Sequence, residues 1–154
     1  MAYESAILLI LPRKGYGLHA HAHPMYGLTM MKLYLDEILS GRTDYDARLY
    51  PTDKRDTIAL VDSSTFRVHG MAELVSCDEI PYEQFVEWHR IGPFTGSPIA
   101  PYHEGRPCYA YRLENVRRIT VPVSIPKDPA VKMWVDIPSD TVRSFFYQTT
   151  LFRE

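Results

Sequence analysis

Cysteine is scarce in this chain: Cys77 and Cys108 are the only two in 154 residues. Two cysteines cannot build a disulfide framework, and both are expected as reduced packing residues. No apolar run approaches the roughly 20 residues a bilayer-spanning helix needs. The single candidate for targeting, Ala6-Ile7-Leu8-Leu9-Ile10-Leu11, lacks a basic n-region and a small-residue cleavage site. It reads as a buried strand, so a cytoplasmic protein with no membrane partner is expected. Basic charge is also short, with 17 Lys and Arg against 19 Asp and Glu and a formal net charge of -2. Strong nonspecific binding to duplex DNA needs a broad basic surface and is thereby disfavoured. A local basic groove, or recognition of one nucleotide, stays open. There is no repeat, low-complexity tract or internal composition break, and nothing specifies an oligomeric state.

What is present is globular: 45% hydrophobic and 23% charged residues over one ordinary domain length. Twelve prolines favour strands and loops over long helices. Strands are expected at 4–11, 28–33, 57–61, 68–75, 109–119, 121–125 and 132–137. Leu35, Ile38 and Leu39 form one apolar stripe and predict a helix over about 34–40. Gly41 then stands where a helix commonly ends in a left-handed residue. Pro81 suits the first turn of a second helix over about 81–90, with Tyr82, Phe85, Val86 and His89 on one face. Residues 91–107 are rich in glycine and proline and read as a long loop, a feature often tied to function. Many strands with few helices predict an α+β fold built on a small mixed β-barrel with two or three short helices.

After the first helix comes the octet Gly41-Arg42-Thr43-Asp44-Tyr45-Asp46-Ala47-Arg48. With the order of elements around it, the octet resembles the ASCH family of PUA-like domains, whose signature after that helix is G-x-K-x-x-E-x-R. Gly41 and Arg48 match, Asp46 keeps the carboxylate, and Thr43 stands where the family has lysine. The stretch Y-A-Y-R-L-E-N-V at 109–116, followed by Pro122, also resembles the family, as does Trp134 in K-M-W-V. The resemblance divides the chain into an N-terminal extension (1–27), an ASCH-like domain (28–137) and a C-terminal extension (138–154) packed on it. It implies a module that binds RNA or modified bases. It also implies a possible enzyme, since some relatives are reported ribonucleases and a small bacterial group hydrolyses N4-acylated cytidines. In that group a Lys and a Thr of the signature and a later Glu act; the corresponding positions here are Thr43 and Asp46, so such a hydrolase would lack the usual lysine.

On an extended strand Asp46 and Arg48 point to one side. Arg48 offers a fork of donors for phosphate or a base edge, while Asp46 can accept from an exocyclic amine. The pair can equally be a structural one that closes a turn. For catalysis the candidates are Thr43, Asp46 and Glu87, with His89 as another source of acid or base. Lys32 and Arg42 can supply positive charge, and Tyr50 and Trp134 are the aromatics chosen for stacking a base over Tyr34, Tyr45, Tyr109 and Tyr111. Arg112, Arg117 and Arg118 form a basic cluster that faces either phosphate or solvent. His19, His21 and His23 alternate in a way that suits a metal or simply an exposed loop, and no metal site or cofactor is assigned. His69, His89 and His103 are the histidines a ribonuclease would draw on. The reading is a domain that binds RNA or a modified nucleoside or nucleotide through a polar pocket near residues 41–50. The alternative is a hydrolase, either an amidohydrolase or a ribonuclease.

Overall fold

A computed structural model describes residues 25–90, 105–131 and 133–151. The expected strand at 4–11, the histidines at 19, 21, 23 and 103, and most of the loop at 91–107 lie outside the described residues.

The chain enters through β1 (Met25–Met30) and turns directly into α1 (Lys32–Leu39). That helix ends as its sequence demands. Gly41 takes φ +78°. Its N–H donates to the Ile38 carbonyl, and the Arg42 N–H donates back to Glu37, both at 3.1 Å. Together these two bonds make a Schellman closure. The closure delivers the chain to β2 (Tyr45–Arg48).

Next come β3 (Asp56–Asp62) and β4 (Arg67–Ile80). The polar turn between them is held by Asp62, whose Oδ1 accepts from the N–H and hydroxyl of Ser64 at 2.9 and 2.8 Å. Helix α2 (Tyr82–Arg90) follows Pro81, then β5 (Cys108–Ser124), β6 (Trp134–Ile137) and α3 (Ser139–Leu151).

The six strands form one mixed sheet in the order β2-β5-β4-β3-β1-β6. The β1–β3 pair is parallel and the other four pairs are antiparallel. Both faces of β3 are covered. Ile58 and Leu60 enter a core with Leu28, Leu35, Ile38, Leu74 and Tyr111. Ala59 and Val61 enter a second core with Met71, Ile119, Ile137 and Phe145 of α3. A strand buried on two sides reads as a continuous apolar run, and T-I-A-L-V does so.

The sheet curls. Strands β5 and β6 are four places apart, which would separate them by about 19 Å in a flat sheet. Yet the rings of Tyr111 on β5 and Trp134 on β6 stack with centroids 6.3 Å apart. The result is a half-barrel whose inner face holds the first core.

Three expectations are corrected. Strand β1 begins at Met25 and stops at Met30, because Lys32 already opens the helix. Strands expected at 109–119 and 121–125 are one strand of 17 residues. Pro122 does not break it because it falls where the β4–β5 register skips between Arg118 and Val123, a place where a missing N–H costs little. The neighbouring Val121 offers its N–H and carbonyl to the side-chain amide of Gln148 on α3, at 2.9 and 3.1 Å. Strand β4 runs on to Ile80, five residues past its expected end at 75. Among the described residues no helix is long and apolar enough to cross a membrane.

Candidate functional site

Asp46 and Arg48 sit two residues apart on β2, opposite Tyr111 and Tyr109 of β5. Their side chains therefore share the inner face of the half-barrel. Asp46 is buried at 5% exposure, and its Oδ2 accepts from Arg48 Nε at 2.5 Å. Arg48 Nη2 donates to the carbonyl of Thr29 on β1 at 2.7 Å. Thr29 is held in turn by its hydroxyl and its N–H, each donating to the Met133 carbonyl at 2.9 Å. Arg48 has five donors, and these two contacts use two of them.

Beneath the pair lies Tyr111, a member of the first core. It is fully buried, and its hydroxyl donates to the Tyr50 carbonyl at 2.6 Å. Burial, above all, pushes this phenol well above its usual range, with Asp46 and Cys77 adding to the shift and Arg48 opposing it. The group stays a protonated donor. Trp134 stacks on Tyr111 and meets Tyr26 edge-on at 6.4 Å. The Lys54 ammonium lies over both outer rings, 4.6 Å from the Tyr26 centroid and 5.1 Å from that of Trp134.

No protein-family model matches the sequence, and no curated protein matches it. Solved structures do. The crystal structure of ASCH from Zymomonas mobilis superposes with a TM-score of 0.55 at 14% identity, over 85% of this chain and 96% of that one. A serine-to-alanine variant of that protein gives 0.56 at 15% identity, over 79% and 96%. A tyrosine-to-phenylalanine variant gives 0.54 at 14%, over the same shares. The fold is ASCH-like.

Within this ASCH-like fold the octet lies where the sequence resemblance places it, from the closure of α1 into β2. Of the residues singled out from sequence, Asp46, Arg48 and Trp134 come together around Tyr111. Tyr50 joins through its carbonyl, while its ring is 60% exposed.

The other chosen residues are engaged elsewhere. Lys32 pairs with Asp36 at 2.7 Å and Arg42 with Glu37 at 2.9 Å, both on the solvent side of α1. The Thr43 hydroxyl is shared with the N–H and carbonyl of Tyr45, at 3.4 and 3.3 Å, in its own turn. Glu87 is exposed on α2. Arg112 faces solvent beside Glu114 at 3.4 Å. Tyr34 and Tyr109 pack against the first core, and Tyr45 packs on Trp88 at 5.7 Å.

Away from this cluster, His69 stands in the β4 irregularity between Val68 and Gly70. Burial first, and then Lys32, hold its imidazole below the ordinary value, against Asp62 and Asp36. A separate open hollow of about 550 Å³ is lined by Glu79, Ile80, Tyr82, Glu83, Arg106 and Pro107. It contains none of the residues chosen from sequence. Among the described residues no three His, Cys, Asp or Glu side chains converge as a metal site requires.

Sequence reasoning passed over Thr29, Tyr26 and Lys54 and ranked Tyr111 below Tyr50. Thr29 acts through its backbone carbonyl, which no side-chain pattern announces. Tyr26 and Lys54 meet only because the sheet curls.

Chemically, the arrangement suits binding. A guanidinium with spare donors, a carboxylate and a protonated phenol lie among aromatic faces, the mix that recognises planar polar ligands. For hydrolysis Asp46 would have to act as a base while its carboxylate is held by Arg48, and Thr43 would have to leave its turn.

Proposed function

We propose that this protein binds RNA or a modified nucleoside or nucleotide at the inner face of its half-barrel, between β2 and the aromatic residues of β5 and β6. The observation that carries this reading is the Asp46–Arg48 pair set opposite stacked Tyr111 and Trp134. A base edge can engage the free donors of Arg48, and single bases are commonly read by such combinations of polar edge and aromatic face. The ASCH-like fold and the octet are consistent with it. The acidic balance fits a local site better than a long nucleic-acid track. Two free cysteines, one half-buried and one buried, fit a reducing, cytoplasmic setting.

The test is equilibrium binding at low salt to single-stranded RNA and to a panel of nucleosides including N4-acetylcytidine. Salt-sensitive binding to RNA, or saturable binding to one nucleoside, is expected. Arg48→Ala, checked for folding by circular dichroism, should weaken it at least about tenfold, the loss typical of a charged hydrogen-bonding group. Absence of binding to both ligand classes by the wild-type chain would remove the reading. Chromatography of the same mixtures reports any cleaved RNA or deacylated nucleoside, the products a hydrolase would leave.

A further inference from the structure

The cations around the site are unequally committed. Lys32, Arg42 and Arg48 each face a carboxylate, on Asp36, Glu37 and Asp46. Arg55 spends Nη1 on the carbonyls of Thr52 and Lys54, at 3.1 and 2.7 Å. Lys54 differs. Among the described residues no hydrogen bond or ion pair engages its ammonium. It is held instead by two ring faces, Tyr26 and Trp134. Ring faces attract a cation without cancelling its charge. The backbone beneath it is also fixed, since the Lys54 N–H donates to Thr52 Oγ1 at 3.2 Å. Four residues earlier the same segment gives the Tyr50 carbonyl to Tyr111. Trp134 therefore touches both Tyr111 and the Lys54 ammonium.

A half-buried ammonium that no carboxylate neutralises among the described residues, held on the ring that stacks on Tyr111, has a definite chemical complement. We propose that Lys54 is the phosphate-reading group of this site, so that its ligands are phosphorylated nucleosides, as 5′-monophosphates or as units of single-stranded RNA. Tyr26 and Trp134 are positioning residues that aim the ammonium. This inference rests on the nucleotide-binding reading and specifies it: the nucleoside part meets Arg48 and the half-buried Trp134, and its phosphate meets Lys54. It requires no net positive charge on the chain, since one unneutralised cation suffices for one phosphate.

The test compares the four common nucleosides and N4-acetylcytidine with their 5′-monophosphates, and with inorganic phosphate, by calorimetry on the full chain. In the wild type the best monophosphate should bind about tenfold more tightly than its nucleoside, the effect of one charge-assisted contact. Inorganic phosphate alone should bind far more weakly than that monophosphate. Lys54→Met keeps an unbranched side chain over the rings; it should bring the monophosphate down to the nucleoside's affinity and leave the nucleoside within about twofold. Tyr26→Leu should narrow the same ratio by releasing the ammonium.

Equal wild-type affinity for nucleoside and monophosphate would overturn the inference while leaving the site reading intact. So would a Lys54→Met loss shared equally by both ligands, which would mark Lys54 as packing. Phosphate binding as tightly as the monophosphate would overturn it as well. Failure of every nucleoside and monophosphate to bind would overturn both.

Discussion

Arg48 on the edge strand β2 donates from Nη2 to the carbonyl of Thr29 on β1, 2.7 Å away. The two strands are four places apart in the sheet, so this bond spans the open side of the half-barrel. Since Nε of the same guanidinium holds Asp46, Arg48 is both a clasp of the fold and the principal donor of the site.

Removing one member of this pair is expected to cost stability. Arg48→Met leaves the Asp46 carboxylate buried without its cation and should lower the unfolding free energy by about 2–4 kcal/mol, somewhat less than for a fully buried pair because Arg48 is partly exposed. Asp46→Asn keeps an acceptor for Nε and should cost about half as much. Urea denaturation of the two single variants and the double variant measures the coupling, and a coupling near zero would contradict the clasp.

Tyr111→Phe should lose the bond to the Tyr50 carbonyl while keeping the stack on Trp134. A cost of about 1–2 kcal/mol is expected for the lost hydroxyl and its hydrogen bond. Tryptophan emission should be nearly unchanged, because the ring remains in place. A large spectral shift would show that the hydroxyl, and not ring packing, sets the position of Trp134.

Gly41, just past α1, and Gly70, on β4 against Leu39 of that helix, should respond for different reasons. A Cβ on Gly70 would lie 2.5 Å from the Arg117 carbonyl oxygen and 2.6 Å from Leu39 Cδ2. The backbone atom cannot yield cheaply, and Gly70→Ala is expected to cost about 1–3 kcal/mol by overpacking. A Cβ on Gly41 meets nothing within 4 Å, but φ is +78°. Gly41→Ala should therefore cost only about 1–2 kcal/mol of backbone strain. Gly41→Asn should recover part of that loss, and Gly70→Asn none. Thermal melts distinguish the two.

Stability should fall on acidification for two identifiable groups. Burial, the largest influence, and then Lys32 depress the His69 imidazole below its ordinary 6.5. The native state thus favours the neutral ring. Its contribution is complete above pH 6.5 and is lost as pH falls through that value toward the depressed one. For Asp62, burial opposes ionisation, but bonds from Ser64 and Thr65 and the nearby His69 outweigh it and hold the carboxyl below 3.8. Its contribution is lost only as pH falls below about 3.8. Urea midpoints for wild type and His69→Gln should differ in slope just below pH 6.5 and run parallel above pH 7.5. Parallel curves throughout would contradict the His69 assignment.

Much of the fold was legible locally. The Leu35, Ile38 and Leu39 stripe and Gly41 carry their own geometry, because helix period and left-handed backbone are properties of a few adjacent residues. The Asp62-Ser63-Ser64 turn is written in the side chain that closes it. Helix α3 was less visible, since among the described residues Phe145 is its one buried side chain in a core cluster, with only Val142 packed beside it, and so short a stripe is faint in sequence. Pro122 misled for a related reason. A proline breaks a ladder only where its N–H is needed, and the register skip that excuses it is a relation between two strands.

The site divides in the same way. The sequence by itself determined that Asp46 and Arg48 share one side of an extended segment, since two residues on one strand alternate together. It also determined that the chain carries no net positive charge. Only the tertiary structure decided that Arg48 reaches Thr29, that Tyr111 rather than Tyr50 is the buried ring, and that Lys54 rests on Tyr26 and Trp134. Those contacts join residues from 19 positions apart, for Arg48 and Thr29, to 80, for Lys54 and Trp134. They exist because the sheet curls, and curling is the cumulative twist of six paired strands, which no single stretch of sequence contains.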